Sequence, residues 1–515
     1  MKAKNSIYNI RILMDSLALL SFRCKIFKSY TMSSWRCYTK AELLAIMCVG
    51  MAIRSIISLH PFSGFGVPPM FGDYEAQRHW QEVTIHLNIN QWYRNGTHND
   101  LLYWGLDYPP LTAYHSYLMG KVAQSLDPRF IALHTSRGFE SKEHKSFMRL
   151  TVLAADFLIY LPAILSMCIC IDSSYTSKLS QIIFTLTMIY PGQILIDNGH
   201  FQYNNISLGM AALAIAAALR EKYSLTAFFF TLALNYKQME LYHSLPFFVF
   251  ILGSCLAQRS FLSFAIKFIL IATIVLSTFG LLWHPWLRSL KDFMEVISRL
   301  FPVNRGVFED KVASFWCSMN IIFKLKKYFS NHHMALICLG TTLFASLPTN
   351  LAVLHRRSQL GFLLSLFNTA ASFFLFSYQV HEKTVLLITL PALCLLKWWP
   401  NEMFLFLEVS AFSMLPLLAK DKLLAPSLAT IIIFHLTFKC IRFQHNSSYI
   451  YSYYLKRVLN ISEIVLSFVA CSYVFFSPPL KYPDFWASII SFISSVYFFL
   501  FLIWGNIKHH NRYNK

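Results

Sequence analysis

The sequence predicts an all-α polytopic membrane protein with about fourteen transmembrane helices. Of its 515 residues, 56% are hydrophobic and only 14% are charged, whereas soluble domains carry about 25% charged residues. Mean hydropathy is +0.46, and apolar runs long enough to cross roughly 30 Å of hydrocarbon recur along the chain. Basic residues fall in short clusters between these runs, as in cytoplasmic loops of membrane proteins. A soluble multidomain protein is therefore disfavoured.

The first 40 residues are predicted to form a cytosolic tail, because they hold eight Lys or Arg residues against one acid. Their short apolar patch is broken by Asp15, whereas a cleaved signal peptide needs an uninterrupted apolar core. We expect one transmembrane domain over residues 41–505 and a second cytosolic tail over residues 506–515.

The predicted spans follow in chain order. They are 41–59, 148–171, 178–196, 204–219, 223–237, 242–257, 261–283, 334–354, 359–378, 384–398, 402–418, 423–440, 460–477 and 484–505. The fifth and sixth are short, and one bent hairpin is an alternative for them.

The basic clusters set the predicted orientation. The net charge of +20 would fit nucleic acid binding, but its division into short loop clusters favours a membrane topology and no nucleic acid. With an even number of spans, both termini and the loops near 220–222, 356–357 and 439–457 lie in the cytosol. Lys324, Lys326 and Lys327 would then be lumenal. If residues 312–326 crossed the membrane instead, the later loops would reverse sides.

The first lumenal loop, residues 60–147, is the longest polar stretch of the chain. Pro68, Pro69, Pro109 and Pro110 prevent one continuous helix, so short helices at the membrane surface are expected. Asn95 begins an Asn-Gly-Thr glycosylation acceptor in this loop, whereas the acceptor at Asn446 should be cytosolic and unmodified.

Residues 71–80 of this loop (Phe-Gly-Asp-Tyr-Glu-Ala-Gln-Arg-His-Trp) place Asp73 and Glu75 beside Arg78, His79 and Trp80. A carboxylate held at a membrane surface among aromatics and cations suits proton abstraction from a sugar hydroxyl. The alternative is an interfacial aromatic belt with solvated acids.

A second cluster in the same loop, residues 103–116, contains Trp104, Asp107 and Tyr108. Aromatic faces stack on the C–H face of a sugar, and carboxylates accept hydrogen bonds from its hydroxyls. Two such clusters in one loop favour sugar binding over the aromatic belt.

Two further groups carry candidate phosphate ligands. Arg305 precedes Gly306, where a guanidinium could clamp a phosphate, although a surface ion pair with Glu309 or Asp310 explains it equally well. His381 and Lys383 stand between two apolar runs, where ionisable residues are costly and usually functional. Snorkelling of the lysine is the alternative, but it leaves His381 unexplained.

Two polar runs are weaker candidates. Residues 197–204 (Asp-Asn-Gly-His-Phe-Gln-Tyr-Asn) end the third span, and residues 236–240 (Tyr-Lys-Gln-Met-Glu) separate the fifth and sixth. Each could line a cavity, but a plain lumenal turn is as good an interpretation of either.

The chain lacks a phosphate-binding glycine loop, a dinucleotide fingerprint and an Asp-x-Asp nucleotide-sugar motif. The eleven cysteines lack CxxC spacing, which favours buried small hydrophobes over a zinc site or a disulfide framework. A glycosyl donor for this chain would therefore have to be carried by a lipid.

Residues 72–80, 103–116, 136–141, 305–316 and 381–383 together resemble the endoplasmic-reticulum α-1,3-glucosyltransferases that use dolichyl phosphate glucose. The resemblance extends over about residues 41–505. Within that family, the first-loop pattern is most similar to that of the member adding the first glucose to Man9GlcNAc2-PP-dolichol. The sister enzyme adding the second glucose shares the His-Glu-Lys element and stays an alternative.

The resemblance implies a multi-pass GT-C glycosyltransferase fold in the endoplasmic reticulum membrane, with a lumenal active site and without a cofactor or a metal. A β-linked donor and an α-linked product require a single inverting displacement, in which one carboxylate serves as general base. That role maps to Asp73, and stabilisation of the departing phosphate maps to His381, Lys383 and Arg305. Sugar and acceptor contacts are expected from the remaining candidates, Glu75, Arg78, His79, Trp80, Trp104, Asp107 and Tyr108.

A transporter or lipid flippase is the alternative from another class, since polytopic helices with charged margins serve transport equally well. The polar residues concentrate in loops on one side rather than at midplane positions, and this pattern favours the enzyme.

Overall fold

The computed structural model describes residues 40–172, 177–301, 312–441 and 449–513. Within these ranges the regular structure is helical, apart from one isolated bridge between Gly96 and Asn99. We number the helices in chain order as α1 (Lys40–Ser58), α2 (Gly72–His86), α3 (Pro110–Leu126), α4 (Lys142–Asp172), α5 (Lys178–Phe201), α6 (Asn204–Leu219), α7 (Tyr223–Tyr236), α8 (Gln238–Leu256), α9 (Phe261–Trp286), α10 (Leu290–Leu300), α11 (Phe315–Phe323), α12 (Asn331–His355), α13 (Gln359–Phe376), α14 (Val385–Leu395), α15 (Pro400–Lys420), α16 (Leu424–Cys440), α17 (Tyr449–Phe475) and α18 (Phe485–Tyr513).

The predicted all-α polytopic fold is confirmed. Ten of the described helices contain a stretch long and apolar enough to cross a membrane, namely α1, α4, α5, α8, α9, α12, α13, α15, α17 and α18. Helices α6 and α16 are shorter apolar helices, and α7 and α14 have 14 and 11 residues. Each of the fourteen predicted spans overlaps one of these helices, but only ten of the described helices have the length and hydropathy for a complete crossing. Helix α11 has nine residues, which rise about 14 Å and cannot cross the hydrocarbon core.

Serine begins many of these helices. Ser141, Ser260, Ser330 and Ser358 each accept a hydrogen bond from the backbone N–H three residues later, at 3.0–3.3 Å. Such N-caps satisfy a backbone donor that the helix itself leaves unpaired. The caps fix where the chain turns back into the membrane.

The outer and inner helices differ in what their apolar side chains contact. Helices α5, α13, α14 and α15 bury most of their residues inside the bundle. Outer helices α9, α12 and α17 expose large apolar side chains, such as Phe261, Leu281, Phe344 and Phe468. An exposed apolar surface of this extent fits contact with lipid rather than water.

Contacts between helix ends define the two ends of the bundle. Asp73 at the start of α2, His200 near the end of α5, Lys383 before α14 and Asp421 after α15 meet at one end. We call it the site end. Helix α12 ends at His355, just before Arg357, which contacts Tyr223 at the opposite end of the bundle. Its start, after Lys324 and Lys327, therefore lies towards the site end.

The opposite end carries several short loops that contain basic residues. Lys397 pairs with Asp172 at 2.7 Å, and Arg357 donates to the Tyr223 hydroxyl at 2.8 Å. We call it the basic end, since Arg220, Lys222, Arg356 and Lys439 also lie beside helix ends there. An excess of basic loops is typical of the cytosolic face.

Candidate active site

Three side chains converge on one oxygen of Asp73. The Oδ2 atom contacts His200 Nε2 at 3.0 Å and also accepts hydrogen bonds from Gln202 Nε2 and Lys383 Nζ. Asp73 is 20% exposed, whereas His200 is 2% exposed. The sequence predicted Asp73 and Lys383 as site residues but not their contact.

A close approach of two glycines positions Asp73. Gly64 and Gly72 have φ angles of 75° and 69°, and a Cβ on Gly64 would lie 2.0 Å from the carbonyl carbon of Phe71. Only glycine fits there without moving the backbone. The Ser63 hydroxyl accepts a hydrogen bond from the Asp73 N–H at 3.3 Å. Asp73 consequently lies in the first turn of α2, where the helix dipole favours a carboxylate.

His200 and Gln202 are presented by the break between α5 and α6. The Asp197 carboxylate accepts hydrogen bonds from the N–H groups of Asn204 and Asn205 at 3.2 and 2.7 Å, and so caps α6. Phe201, at φ 89°, turns the chain between the two helices. The polar run at residues 197–204, for which the sequence allowed two interpretations, therefore forms a turn that places His200 beside Asp73.

A buried ion pair holds the same turn from behind. Arg54 of α1 lies 3.4 Å from Asp156 of α4, and both are buried. Asp156 also accepts hydrogen bonds from Asn198 at 2.9 Å and from Gln193 at 3.3 Å. These contacts link α1 and α4 to the last turn of α5, which carries His200.

Electrostatics keep Asp73 ionised. Burial would raise the pKa of Asp73, but the charges of Lys383 and His200 more than offset this and hold it well below its ordinary value. Burial would likewise lower the pKa of Lys383, but the Asp73 carboxylate raises it above its ordinary value. The pair is therefore a carboxylate and an ammonium at neutral pH.

A cavity of about 330 Å³ opens beside Asp73. It lies within the size range of small-molecule sites. The predicted site residues that line it are Asp73, Trp80, Trp104, Asp107, Tyr108, His381 and Lys383. The structure thus brings together residues of the first loop and of the segment before α14.

Lys237, which the sequence marked only weakly, adds a second ammonium to the cavity wall. It donates a hydrogen bond to Asn204 and lies 5.0 Å from the centre of the Tyr108 ring. Lys237 and Lys383 both line the cavity, and two ammonium groups in one wall indicate a site that accommodates a negatively charged group.

Glu75, Arg78 and His79 do not line the cavity. They belong to a buried network in which Arg78 contacts both Glu75 and Glu82 at 2.7 Å, and the Tyr103 hydroxyl donates to Glu75 at 2.8 Å. Their side chains are thus engaged inside the first loop and brace α2. Arg305 lies outside the described residues.

Three side chains in the described ranges are grouped closely enough to hold a metal ion. Ligand atoms of Glu408, His435 and Glu463 lie within 4.8 Å of one another. Glu408 contacts His435 at 2.6 Å, and Glu463 contacts Lys439 at 2.6 Å. The group belongs to α15, α16 and α17 and contributes nothing to the cavity wall.

Comparison with known proteins identifies the family. Residues 42–504 match the model of the ALG6, ALG8 glycosyltransferase family. The chain belongs to this family. It is therefore a polytopic glycosyltransferase of the GT-C class.

Named relatives cover nearly the whole chain. A Drosophila melanogaster protein named probable dolichyl pyrophosphate Man9GlcNAc2 alpha-1,3-glucosyltransferase is 60% identical over 91% of this chain and 98% of its own length. The Mus musculus protein named dolichyl pyrophosphate Man9GlcNAc2 alpha-1,3-glucosyltransferase is 45% identical over 90% of this chain and 96% of its own length.

For two buried groups at the site end, the sequence carried a signal that was not used or that was misleading. The Glu75, Arg78 and Glu82 spacing of three and four residues is typical of ion pairs within one helix, and it indicated the internal network. Asp421 stands between two lysines, a pattern usual for a solvated loop, yet it is buried against His200.

The buried network of α2 generates a stability prediction. Burial would raise the pKa of Glu82, but a hydrogen bond with His79 and the charge of Arg78 lower it from 4.5 to about 2. Its stabilising effect is therefore present above about pH 4.5 and is lost as the pH falls towards 2. Glu82→Gln should lower the free energy of unfolding by about 3 kcal/mol at neutral pH, because Arg78 loses one buried partner.

Thermal unfolding of the detergent-solubilised protein measures this effect. The matched control is Asp127→Asn, which removes an exposed ion pair with Arg129 in the same loop and should leave the melting temperature unchanged. Equal melting temperatures for Glu82→Gln and the wild type would contradict a stabilising role for the network.

Proposed function

We propose that the protein transfers glucose from dolichyl phosphate glucose to the lipid-linked oligosaccharide Man9GlcNAc2-PP-dolichol, forming an α-1,3 linkage with inversion. The family and the printed names of the relatives support the acceptor and the linkage. The observation that carries the mechanism is the pairing of Asp73 with Lys383 in the wall of an aromatic-lined cavity.

Asp73 is the general base. As the acceptor oxygen bonds to the anomeric carbon of glucose, its proton passes to the carboxylate. The bond between that carbon and the donor phosphate breaks, and its electron pair leaves with the phosphate. No general acid is needed, because dolichyl phosphate departs as a stable anion once its charge is neutralised.

Lys383 links the arrival of the donor to the basicity of Asp73. In the structure its ammonium lies on the carboxylate, where it lowers the basicity of that group. A donor phosphate competes for the same ammonium, with His381 and Lys237 in the same cavity wall. When Lys383 turns to the phosphate, Asp73 becomes a stronger base at the moment it must take a proton.

The cavity wall has the two surfaces that a lipid-carried sugar requires. Trp80, Trp104 and Tyr108 provide ring faces for stacking on a sugar. Leu208 of α6, Met239 of α8 and Leu387 of α14 continue the wall among membrane-embedded helices. An isoprenoid chain can approach from the bilayer along this apolar side while its phosphate meets the lysines.

The site end is proposed to face the lumen of the endoplasmic reticulum. The basic end then faces the cytosol, as the distribution of Lys and Arg favours. Asn95 is exposed at the site end, in a turn where its side chain accepts a hydrogen bond from the Leu101 N–H at 3.3 Å. An asparagine in such an exposed turn is accessible to glycosylation in the lumen.

Asp73→Asn should reduce kcat by roughly 100-fold or more, since the amide cannot accept the proton and general bases contribute about 10²–10⁴. The measurement is transfer of radiolabelled glucose from dolichyl phosphate glucose in detergent, supplied in parallel with Man9GlcNAc2 and monoglucosylated acceptors. Asp100→Asn, an exposed acid of the same loop, is the matched control and should retain wild-type activity.

Each alternative has its own outcome in this assay. The sister enzyme would use only the acceptor that already carries one glucose. A transporter would transfer no glucose in detergent. Wild-type kcat in Asp73→Asn would remove Asp73 from the role of base.

The membrane orientation predicts that Asn95 is glycosylated. Endoglycosidase treatment should increase the gel mobility of the protein isolated from cells, and Asn95→Gln should abolish that shift. The control is Asn446→Gln, which should keep the shift. A glycan on Asn446 would reverse the proposed orientation.

A further inference from the structure

Both ring nitrogens of His200 face a carboxylate. Nε2 lies 3.0 Å from Asp73 Oδ2, and Nδ1 lies 2.5 Å from Asp421 Oδ2. His200 is 2% exposed and Asp421 is 7% exposed. Asp421 comes from the turn after α15, so three separate parts of the chain meet at one imidazole.

The geometry determines which ring nitrogens of His200 carry a hydrogen. An ionised carboxylate only accepts hydrogen bonds, so each of the two contacts requires a hydrogen on the facing nitrogen. A ring with both hydrogens is an imidazolium, and its charge together with that of Lys383 balances the charges of Asp73 and Asp421. Lys383 Nζ also lies 3.3 Å from His200 Nε2. If Nε2 accepted a hydrogen bond from Lys383, it would carry no hydrogen, and its lone pair would face the negative Asp73 carboxylate.

Other charged groups around His200 are engaged elsewhere. Arg149 of α4 donates to the carbonyl of Gly199 at 2.7 Å. Asp197, on the same turn as His200, accepts hydrogen bonds from Asn204, Asn205 and Gln193. Asp421 is thus the carboxylate that contacts Nδ1, and Asp73 and Lys383 are the charged groups at Nε2.

We propose that His200, held by Asp421, is a positioning residue that keeps Asp73 ionised and correctly oriented after Lys383 turns to the donor phosphate. This inference rests on the proposed function. Without a second cation, the departure of Lys383 would leave a half-buried carboxylate with only Gln202 to fix it. His200, Gln202 and Lys383 all contact Oδ2, so Oδ1 is the oxygen available to the acceptor hydroxyl.

The assignment predicts how the pH profile responds to loss of the Asp421 charge. Asp421→Asn still accepts a hydrogen bond from Nδ1, but it no longer favours the imidazolium. The alkaline loss of kcat/KM should therefore move to lower pH by roughly one to three units, the usual effect of removing an adjacent opposite charge. Below this limb the ring carries both hydrogens, and Nδ1 still donates to the oxygen of the new amide. There kcat and both KM values should stay within about threefold of wild type.

His200→Gln is the second variant. Its amide can donate to Asp73 from nearly the same place but carries no titrating charge. We expect a reduced kcat and loss of the alkaline limb, whereas His200→Ala, which removes both the contact and the charge, should be less active than His200→Gln. The matched control is Lys420→Gln, which changes an exposed charge beside Asp421 and should reproduce the wild-type profile.

The experiment is the pH dependence of kcat and of KM for donor and acceptor in the detergent assay, for the full-length protein. An Asp421→Asn profile that overlays the wild type would overturn the inference, as would an alkaline limb that persists in His200→Gln. If Asp421→Asn fails to fold, His200→Gln decides. The proposed function fails separately, when the wild type transfers no glucose or Asp73→Asn stays fully active.

Discussion

The contact between Asp73 and Lys383 is the constraint on which the site depends. A carboxylate that is mostly removed from water stays charged only where fixed cations or donors compensate for its lost hydration. Asp73 has Lys383, His200 and Gln202 on one oxygen. These side chains come from the first loop, the turn between α5 and α6, and the segment before α14. The contacts on this one carboxylate oxygen therefore fix how three parts of the bundle approach each other.

Three other features of the described residues support that convergence. Gly64 and Gly72 allow the loop to close before Asp73, and Asp197 caps α6 so that His200 is directed back towards it. The Arg54–Asp156 pair braces the turn from inside the bundle. Separating the partners of a buried pair leaves an uncompensated charge. Such pairs therefore favour the arrangement of the helices that keeps the partners together. Here that arrangement is the one that gathers the charges around the cavity.

The sequence was sufficient for the helices and for part of the site. Apolar runs report spans directly, because lipid requires a length and a composition that the chain displays locally. Asp73 and Lys383 stood out as charges at the margins of such runs, but 310 positions separate them, and no local spacing reports a contact of that kind. His200 was hidden because a functional turn and an ordinary turn at a helix end share the same polar composition. Asp421 was hidden because its burial depends on α15 ending beside α5.

In the proposed reaction, Lys383 exchanges Asp73 for the donor phosphate, while His200 and Gln202 keep the carboxylate in place. A structure of the protein with a non-transferable phosphonate analogue of dolichyl phosphate glucose tests this most directly. This exchange predicts that Lys383 Nζ lies within hydrogen-bond distance of a phosphonate oxygen, with His200 Nε2 still on Asp73 Oδ2. A phosphonate bound elsewhere, with Lys383 still on Asp73, would contradict it.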